Sequence, residues 1–333
     1  MISENIPLME LNKFLAEWHN DNPRILVHTS GSTGKPKPLM VEKRRMLNSA
    51  RITCDFLGLK PDDTALLCMP LDYIAGKMMV VRSLQRDLRL TSVRPSSHPL
   101  ADDALPSFTF AAMVPMQVYN TLKVPCERER LMHIRHLIIG GGAISDELAQ
   151  MIKPLPNAVW STYGMTETLS HIALRRLNGP DASLWYTPFD GVGISLNADG
   201  CLVIDAPEVC AEPLVTNDIA QLRTDDRTGK TLFRIKGRKD NVVCSGGIKI
   251  QIEEVEEALR PHLSAPFMIV KKQDEMLGEK AILLTESTDL THIEEICRNT
   301  LPKYWVPREF LHIDRLPLTE TGKPKRTLPF TPR

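Results

Sequence analysis

The sequence predicts an α/β fold: a large layered α/β domain carrying a β-rich subdomain, then a small α+β domain at the C-terminus. Three observations carry that expectation. Short apolar runs alternate with amphipathic stretches from residue 24 to about 160. Short strands and turns replace them from about 185 to 250, and a compact mixed tail follows.

Taken in order, MELNKFLAEWH (9–19) places Leu11, Phe14, Leu15 and Trp18 at helical spacing. The runs RILVH (24–28), TALLCM (64–69), LRLTSV (88–93), FTFAAMV (108–114), RHLIIG (135–140) and NAVWSTY (157–163) read as strands. Helical stretches separate most of them, at 41–57, 76–87, 115–123 and 145–152, so the sheet is expected to be largely parallel. Further strands are predicted at 191–196, 201–205, 214–222, 231–238 and 241–246. In the tail, helices at 252–262 and 291–301 flank strands at 266–272 and 280–286. A boundary near Arg238–Asp240 divides the chain into expected domains 1–238 and 239–333.

Basic and acidic residues balance at 41 each, with no long block of one sign, so a nucleic-acid surface is not indicated. No window approaches the roughly 20 apolar residues of a bilayer span, and the first residues lack the features of a signal peptide. The seven cysteines are scattered and never spaced C-x-x-C, which suggests buried reduced thiols in a cytoplasmic protein.

The segment HTSGSTGKPKP (28–38) holds two glycines, four hydroxyl residues and two lysines directly after an apolar run. Small residues let backbone approach a phosphate, while hydroxyls and lysines supply donors and charge. It is not a Walker loop, and composition alone leaves a phosphate cradle and a plain surface turn both open. In LIIGGGAISDEL, Gly140 to Ala143 stand at the end of a strand and before a helix, a place suited to a nucleotide but also to any tight connection. STYGMTETLSH (161–171) joins an aromatic and a glycine to Glu167, a carboxylate able to hold a divalent ion. Asp218 is read as ending a turn in VTNDIAQLR, a carboxylate able to accept hydrogen bonds from ribose hydroxyls. GRKDNVVCSGG (237–247) and LPLTETGKPKR (316–326) complete the set.

With those motifs in this order, the chain resembles the acyl-adenylate-forming superfamily of acyl-CoA ligases, luciferases and peptide-synthetase adenylation domains. The resemblance runs from about residue 24 to 328. MPLDYIAGK and YGMTETLSHIAL look most like the o-succinylbenzoate–CoA ligases of menaquinone synthesis. Two departures stand out: fewer than thirty residues precede the first loop, and Asn217 and Tyr73 replace a common glycine and histidine.

The resemblance implies an ATP- and Mg²⁺-dependent ligase that joins a small carboxylic acid to coenzyme A through an acyl-adenylate. Thr29, Ser30, Gly31, Ser32, Thr33, Gly34 and Lys35 would hold the β- and γ-phosphates. Gly141, Gly142, Ala143 and Tyr163 would bracket adenine, with Thr166 on the α-phosphate and Glu167 on the metal. Asp218 and Arg238 would bind ribose, and Lys323 would be the catalytic lysine. Asp240 would be the hinge of a mobile C-terminal domain, and Gly246 and Gly247 would border the coenzyme A channel. A second substrate carboxylate needs a cation or several donors, because an unpaired buried charge is costly. Tyr73, Lys77, Arg82, Ser170 and His171 are the candidates, although Lys77 and Arg82 also fit the polar face of a helix. A ligase for another aryl or acyl acid, or a nucleotide-binding module without catalysis, are the competing readings.

Overall fold

The computed structural model describes residues 8–28, 38–142, 144–318 and 325–326. They fall into two compact units, one drawn from 1–194, 204–214 and 223–233, the other from 195–203, 215–222 and 234–333.

In the first unit, α1 (Leu8–His19) precedes the antiparallel hairpin of β1 (Arg24–His28) and β2 (Pro38–Glu42), whose last register pair is His28 with Pro38. Helix α2 (Lys43–Leu57) follows and buries Met46, Ala50, Thr53, Cys54 and Leu57 along one stripe. Gly58 ends it at φ 63°, its N–H returning to the Asp55 and Cys54 carbonyls.

A seven-stranded sheet forms the centre of this unit. Its strands are β3 (Thr64–Leu67), β4 (Arg89–Ser92), β5 (Phe110–Met113), β6 (His136–Ile139), β7 (Ala158–Gly164), β8 (His171–Arg176) and β9 (Thr187–Pro188), in the order 4-3-5-6-7-8-9. Pairs from β4 through β7 are parallel, whereas β8 and β9 are antiparallel additions. Four helices connect the parallel strands: α3 (Ile74–Arg86), α4 (Pro115–Lys123), α5 (Pro125–Met132) and α6 (Asp146–Ile152). Phe110–Met113 is buried at every position, as expected of a strand covered on both faces.

Strands β10 (Gly193–Leu196), β11 (Cys201–Asp205), β12 (Leu214–Thr224) and β13 (Thr231–Arg238) form a four-stranded sheet in that order. In the second unit, β14 (Val242–Ser245), β15 (Ile248–Gln251), β16 (Phe267–Asp274), β17 (Gly278–Thr285) and β18 (Glu309–His312) make a five-stranded sheet. Helices α7 (Ile252–Leu259) and α8 (Leu290–Thr300) share an apolar core with it, including Val243, Val255, Leu259, Ile269, Leu283, Ile293 and Cys297.

The mixed α/β class agrees with the sequence, but several local expectations are corrected. Asp218 does not end a turn; it sits inside β12, where flanking β-branched residues and strands on both sides override the turn preference of Asn-Asp. Lys77 and Arg82 are not on a polar helix face, because α3 is buried from Gly76 to Ser83. Residues 41 and 42 close β2 rather than opening a helix. Strands β2, β8, β9, β15 and β18 and helix α5 have no counterpart among the elements the sequence predicts. Cys126 and Cys244 are exposed; strand alternation turns Val243 inward and Cys244 outward.

Candidate active site

Neighbouring parallel strands β6 and β7 bring two of the sequence motifs side by side at their carboxyl ends. Gly140–Gly142 follow β6, and Gly141 has φ 80°. A side chain at Gly140 would meet Thr162 Oγ1 at 2.6 Å, so anything larger than glycine requires the Thr162 side chain to shift. Ser145 caps the following helix by accepting from Leu148 N at 3.2 Å. Ala143 lies outside the described residues. Tyr163 ends up in an aromatic group, edge-on to Phe233 at 5.0 Å and 5.8 Å from Tyr186.

After β7 the chain makes a tight, strained return. Thr166–Thr168 form one 3₁₀ turn, in which Thr166 is buried and Glu167 exposed. Leu169 is buried yet has φ 65°, a costly conformation for a non-glycine residue. Thr168 Oγ1 holds the turn together, 3.0 Å from Met165 N and 2.6 Å from the Ser170 carbonyl. Gly164 is obligatory here: a Cβ would overlap the Ser170 carbonyl oxygen and His171 Cα.

That return delivers Ser170 and His171 to α3. Arg82 Nη2 donates to Ser170 Oγ at 2.6 Å, and Ser170 Oγ lies 3.2 Å from His171 Nδ1. The Arg82 residue is 2% exposed and forms no ion pair with a carboxylate among the described residues. Its Nε has no hydrogen-bond partner there either, and Nη1 has only Met79 Sδ at 3.9 Å. Burial lowers the Arg82 pKa to about 10, and burial together with Arg82 holds His171 well below the usual imidazole range.

Of the five pocket candidates, Arg82, Ser170 and His171 therefore converge. Lys77 is buried but engaged elsewhere: its Nζ donates to the Leu26 carbonyl at 2.7 Å. Tyr73 stands at the N-cap of α3 and forms a backbone bridge to His28. Sequence reasoning missed Thr53, whose Oγ1 is 3.1 Å from His171 Nε2. The available signal was a hydroxyl on the apolar stripe of α2, one turn beyond Ser49.

In the second unit, Arg238 joins two other candidates. Its Nη1 is 3.2 Å from Asp218 Oδ1 and its Nη2 2.8 Å from Asp240 Oδ2, which also accepts from Asn217 at 3.4 Å. Asp240 lies in the 3₁₀ turn Lys239–Asn241. Gly246 and Gly247, at φ 57° and 83°, make the two-residue turn between β14 and β15 that requires left-handed backbone at both positions. Arg326 forms a two-pronged pair with Glu256, at 2.5 and 2.8 Å. Thr29–Lys35 and Lys323 lie outside the described residues.

No cluster of three or more His, Cys, Asp or Glu suited to a metal occurs among the described residues. A Mg²⁺ carried by nucleotide phosphates and one protein carboxylate fits that donor set, with Glu167 exposed to supply it. No helix among the described residues is long and apolar enough to cross a membrane.

A profile of the AMP-binding enzyme family matches residues 5–211. A 2-succinylbenzoate–CoA ligase of Bacillus mycoides is 26% identical over 92% of this chain and 69% of its own length. The corresponding ligase of Bacillus anthracis is 26% identical over 90% of this chain and 67% of its own length. The chain thus spans about two thirds of these curated relatives. A crystal structure of an acyl-CoA synthetase (AMP-forming)/AMP-acid ligase II-like protein from Dyadobacter fermentans is 32% identical, covering 98% of this chain and 94% of that one, with TM-score 0.68. The o-succinylbenzoate coenzyme A synthetase of Bacillus subtilis, in complex with ATP and magnesium, shares the fold at TM-score 0.70 and 23% identity, covering 90% of this chain and 68% of that one.

Proposed function

The chain belongs to the AMP-binding enzyme family of AMP-forming ligases, and from that premise we propose that it converts 2-succinylbenzoate to its coenzyme A thioester. The observation that carries this reading is Arg82. A guanidinium buried without a carboxylate costs several kcal/mol, roughly, unless something pairs with it. An aromatic acid with two carboxylates supplies that partner: one group is activated, and the other stays behind to meet the arginine.

A free carboxylate is a poor acyl donor because oxide is a poor leaving group. Attack of one carboxylate oxygen on the α-phosphorus of ATP forms a P–O bond and expels pyrophosphate. The coenzyme A sulfur then attacks the acyl carbon and AMP leaves with the anhydride oxygen. Little covalent chemistry falls to the protein, so its contribution is orientation and charge stabilisation.

In this scheme Gly141, Gly142 and Tyr163 bracket adenine, Thr166 donates to the α-phosphate, and Asp218 and Arg238 orient ribose. Thr29, Ser30, Ser32, Thr33 and Lys35 hold the outer phosphates. Lys323 stabilises charge on the reacting oxygens, and Gly246 and Gly247 leave room for the pantetheine arm. Glu167 would hold Mg²⁺, which when bound with ATP neutralises phosphate charge.

The deciding experiment measures acid-dependent pyrophosphate release and coenzyme A thioester formation with 2-succinylbenzoate, 4-oxo-4-phenylbutanoate, benzoate and medium-chain fatty acids. The highest kcat/KM is expected for 2-succinylbenzoate. Equal kcat/KM for 4-oxo-4-phenylbutanoate, which lacks only the ring carboxylate, would remove the role assigned to Arg82.

A further inference from the structure

Four contacts extend from Arg82 through the first unit. Arg82 Nη2 meets Ser170 Oγ, Ser170 Oγ meets His171 Nδ1, and His171 Nε2 meets Thr53 Oγ1. Thr53 Oγ1 lies 3.0 Å from the Ser49 carbonyl oxygen. Thr53 and His171 are 0% and 7% exposed, so water has little access to either partner.

One placement of hydrogens satisfies all four contacts. Arginine can only donate, so Ser170 accepts from Arg82 and gives its own hydrogen to His171 Nδ1. That nitrogen is then the acceptor of a neutral ring, whose hydrogen sits on Nε2 and goes to Thr53. Thr53 in turn donates to the Ser49 carbonyl, which can only accept. With the other tautomer, the hydroxyl hydrogen of Ser170 loses its partner and Thr53 turns from the Ser49 carbonyl, which keeps its helical N–H, so the penalty falls on Ser170.

We propose that Thr53 and His171 are positioning residues: they turn the Ser170 hydroxyl hydrogen away from Arg82, keep its lone pairs on Nη2, and so hold the guanidinium with its Nε–H, unpartnered among the described residues, toward the second carboxylate of the acid. The proposal rests on the role given to Arg82 above. Neither Thr53 nor His171 touches the ligand in this arrangement. They act by denying Ser170 any other orientation.

The test uses the full chain with ¹⁵N-labelled histidine and the variants Thr53→Val, His171→Asn and His171→Leu. In the ligand-free protein, His171 should show the Nε2–H tautomer, and Thr53→Val should disturb it. Thr53→Val should raise KM for 2-succinylbenzoate about tenfold, as expected for loss of one buried hydrogen bond. KM for ATP and for 4-oxo-4-phenylbutanoate should stay unchanged. His171→Asn, whose amide oxygen can replace Nδ1 as acceptor, should retain more activity on the dicarboxylate than His171→Leu. An Nδ1–H tautomer, or an equal rise in KM for both acids, would overturn the proposal. If no dicarboxylate is activated while the Nε2–H tautomer is seen and depends on Thr53, the substrate reading falls and the ordering of Ser170 by His171 stands.

Discussion

Arg82 and Ser170, 88 positions apart in sequence, meet at 2.6 Å through a donor that faces no carboxylate among the described residues. The buried guanidinium is held by a neutral hydroxyl, and no carboxylate among the described residues offsets its charge. Arg82→Met should therefore separate function from stability. The variant removes the desolvation penalty of the charge, so its thermal midpoint should equal or exceed that of the parent. Its kcat/KM for 2-succinylbenzoate should fall by about 2–5 kcal/mol of transition-state binding, the usual loss when one partner of a buried charge pair goes. Thermal unfolding and kinetics on the same preparation check both halves. A destabilised variant with unaltered kinetics would mean that Arg82 is structural.

Gly164 gives a second test of the same region. Alanine there would put a methyl group against backbone atoms of Ser170 and His171, which cannot rotate away. Gly164→Ala should cost about 1–3 kcal/mol in chemical denaturation and raise KM for the dicarboxylate more than for 4-oxo-4-phenylbutanoate. Unchanged stability and kinetics would show that the β7–β8 return does not set the position of Ser170.

Acid stability should depend on His136. Burial pushes its pKa down to about 4, with Arg135 and Arg176 adding to the effect and Asp63 opposing it. Neither ring nitrogen has a hydrogen-bond partner among the described residues. Between its ordinary value of 6.5 and about 4, the unfolded chain binds a proton that the folded protein refuses. Stability thus rises with pH across that window and is lost as pH falls through it. His171, also depressed by burial, works in the same direction. Denaturant midpoints from pH 7 to 4 should fall less steeply in His136→Leu than in the parent; parallel curves would exclude His136 as the source.

The two half-reactions can be tested separately. Lys323→Ala should lose about 3–4 kcal/mol in adenylation, the cost of one preorganised donor, yet still convert supplied acyl-adenylate to thioester. Asp240 accepts from Arg238 and Asn217 inside a short 3₁₀ turn. Proline there fixes φ, so Asp240→Pro should keep pyrophosphate release and lose thioester formation if this turn is the hinge. Feeding synthetic adenylate with coenzyme A reads the second step alone. Equal slowing of both steps by Lys323→Ala would leave the lysine without a specific role.

Lys35→Ala should raise KM for ATP while far-UV circular dichroism and thermal midpoint stay unchanged. The same KM in a folded variant would return the first glycine-rich segment to a plain turn.

What the sequence determined by itself is what depends on near neighbours along the chain. Apolar runs such as Phe110–Met113 and the stripe of α2 were legible because strand and helix periods are local, and the glycines after β6 marked a sharp exit from the sheet. Helix α5 stayed hidden because PCERERLM has almost no apolar stripe and is held by Pro125 at its first turn and by burial of Leu131. Asp218 lies in a strand despite its sequence because a local turn preference yields to pairing on both sides. Only the tertiary structure decided that Lys77 would serve a backbone carbonyl while Arg82 would face Ser170, although both lie on one helix. Thr53 and His171 are 118 positions apart, and no periodicity links them. Their contact exists because β8 folds back antiparallel beside β7 and brings His171 against α2, a long-range outcome whose polar groups must then satisfy one another because water cannot.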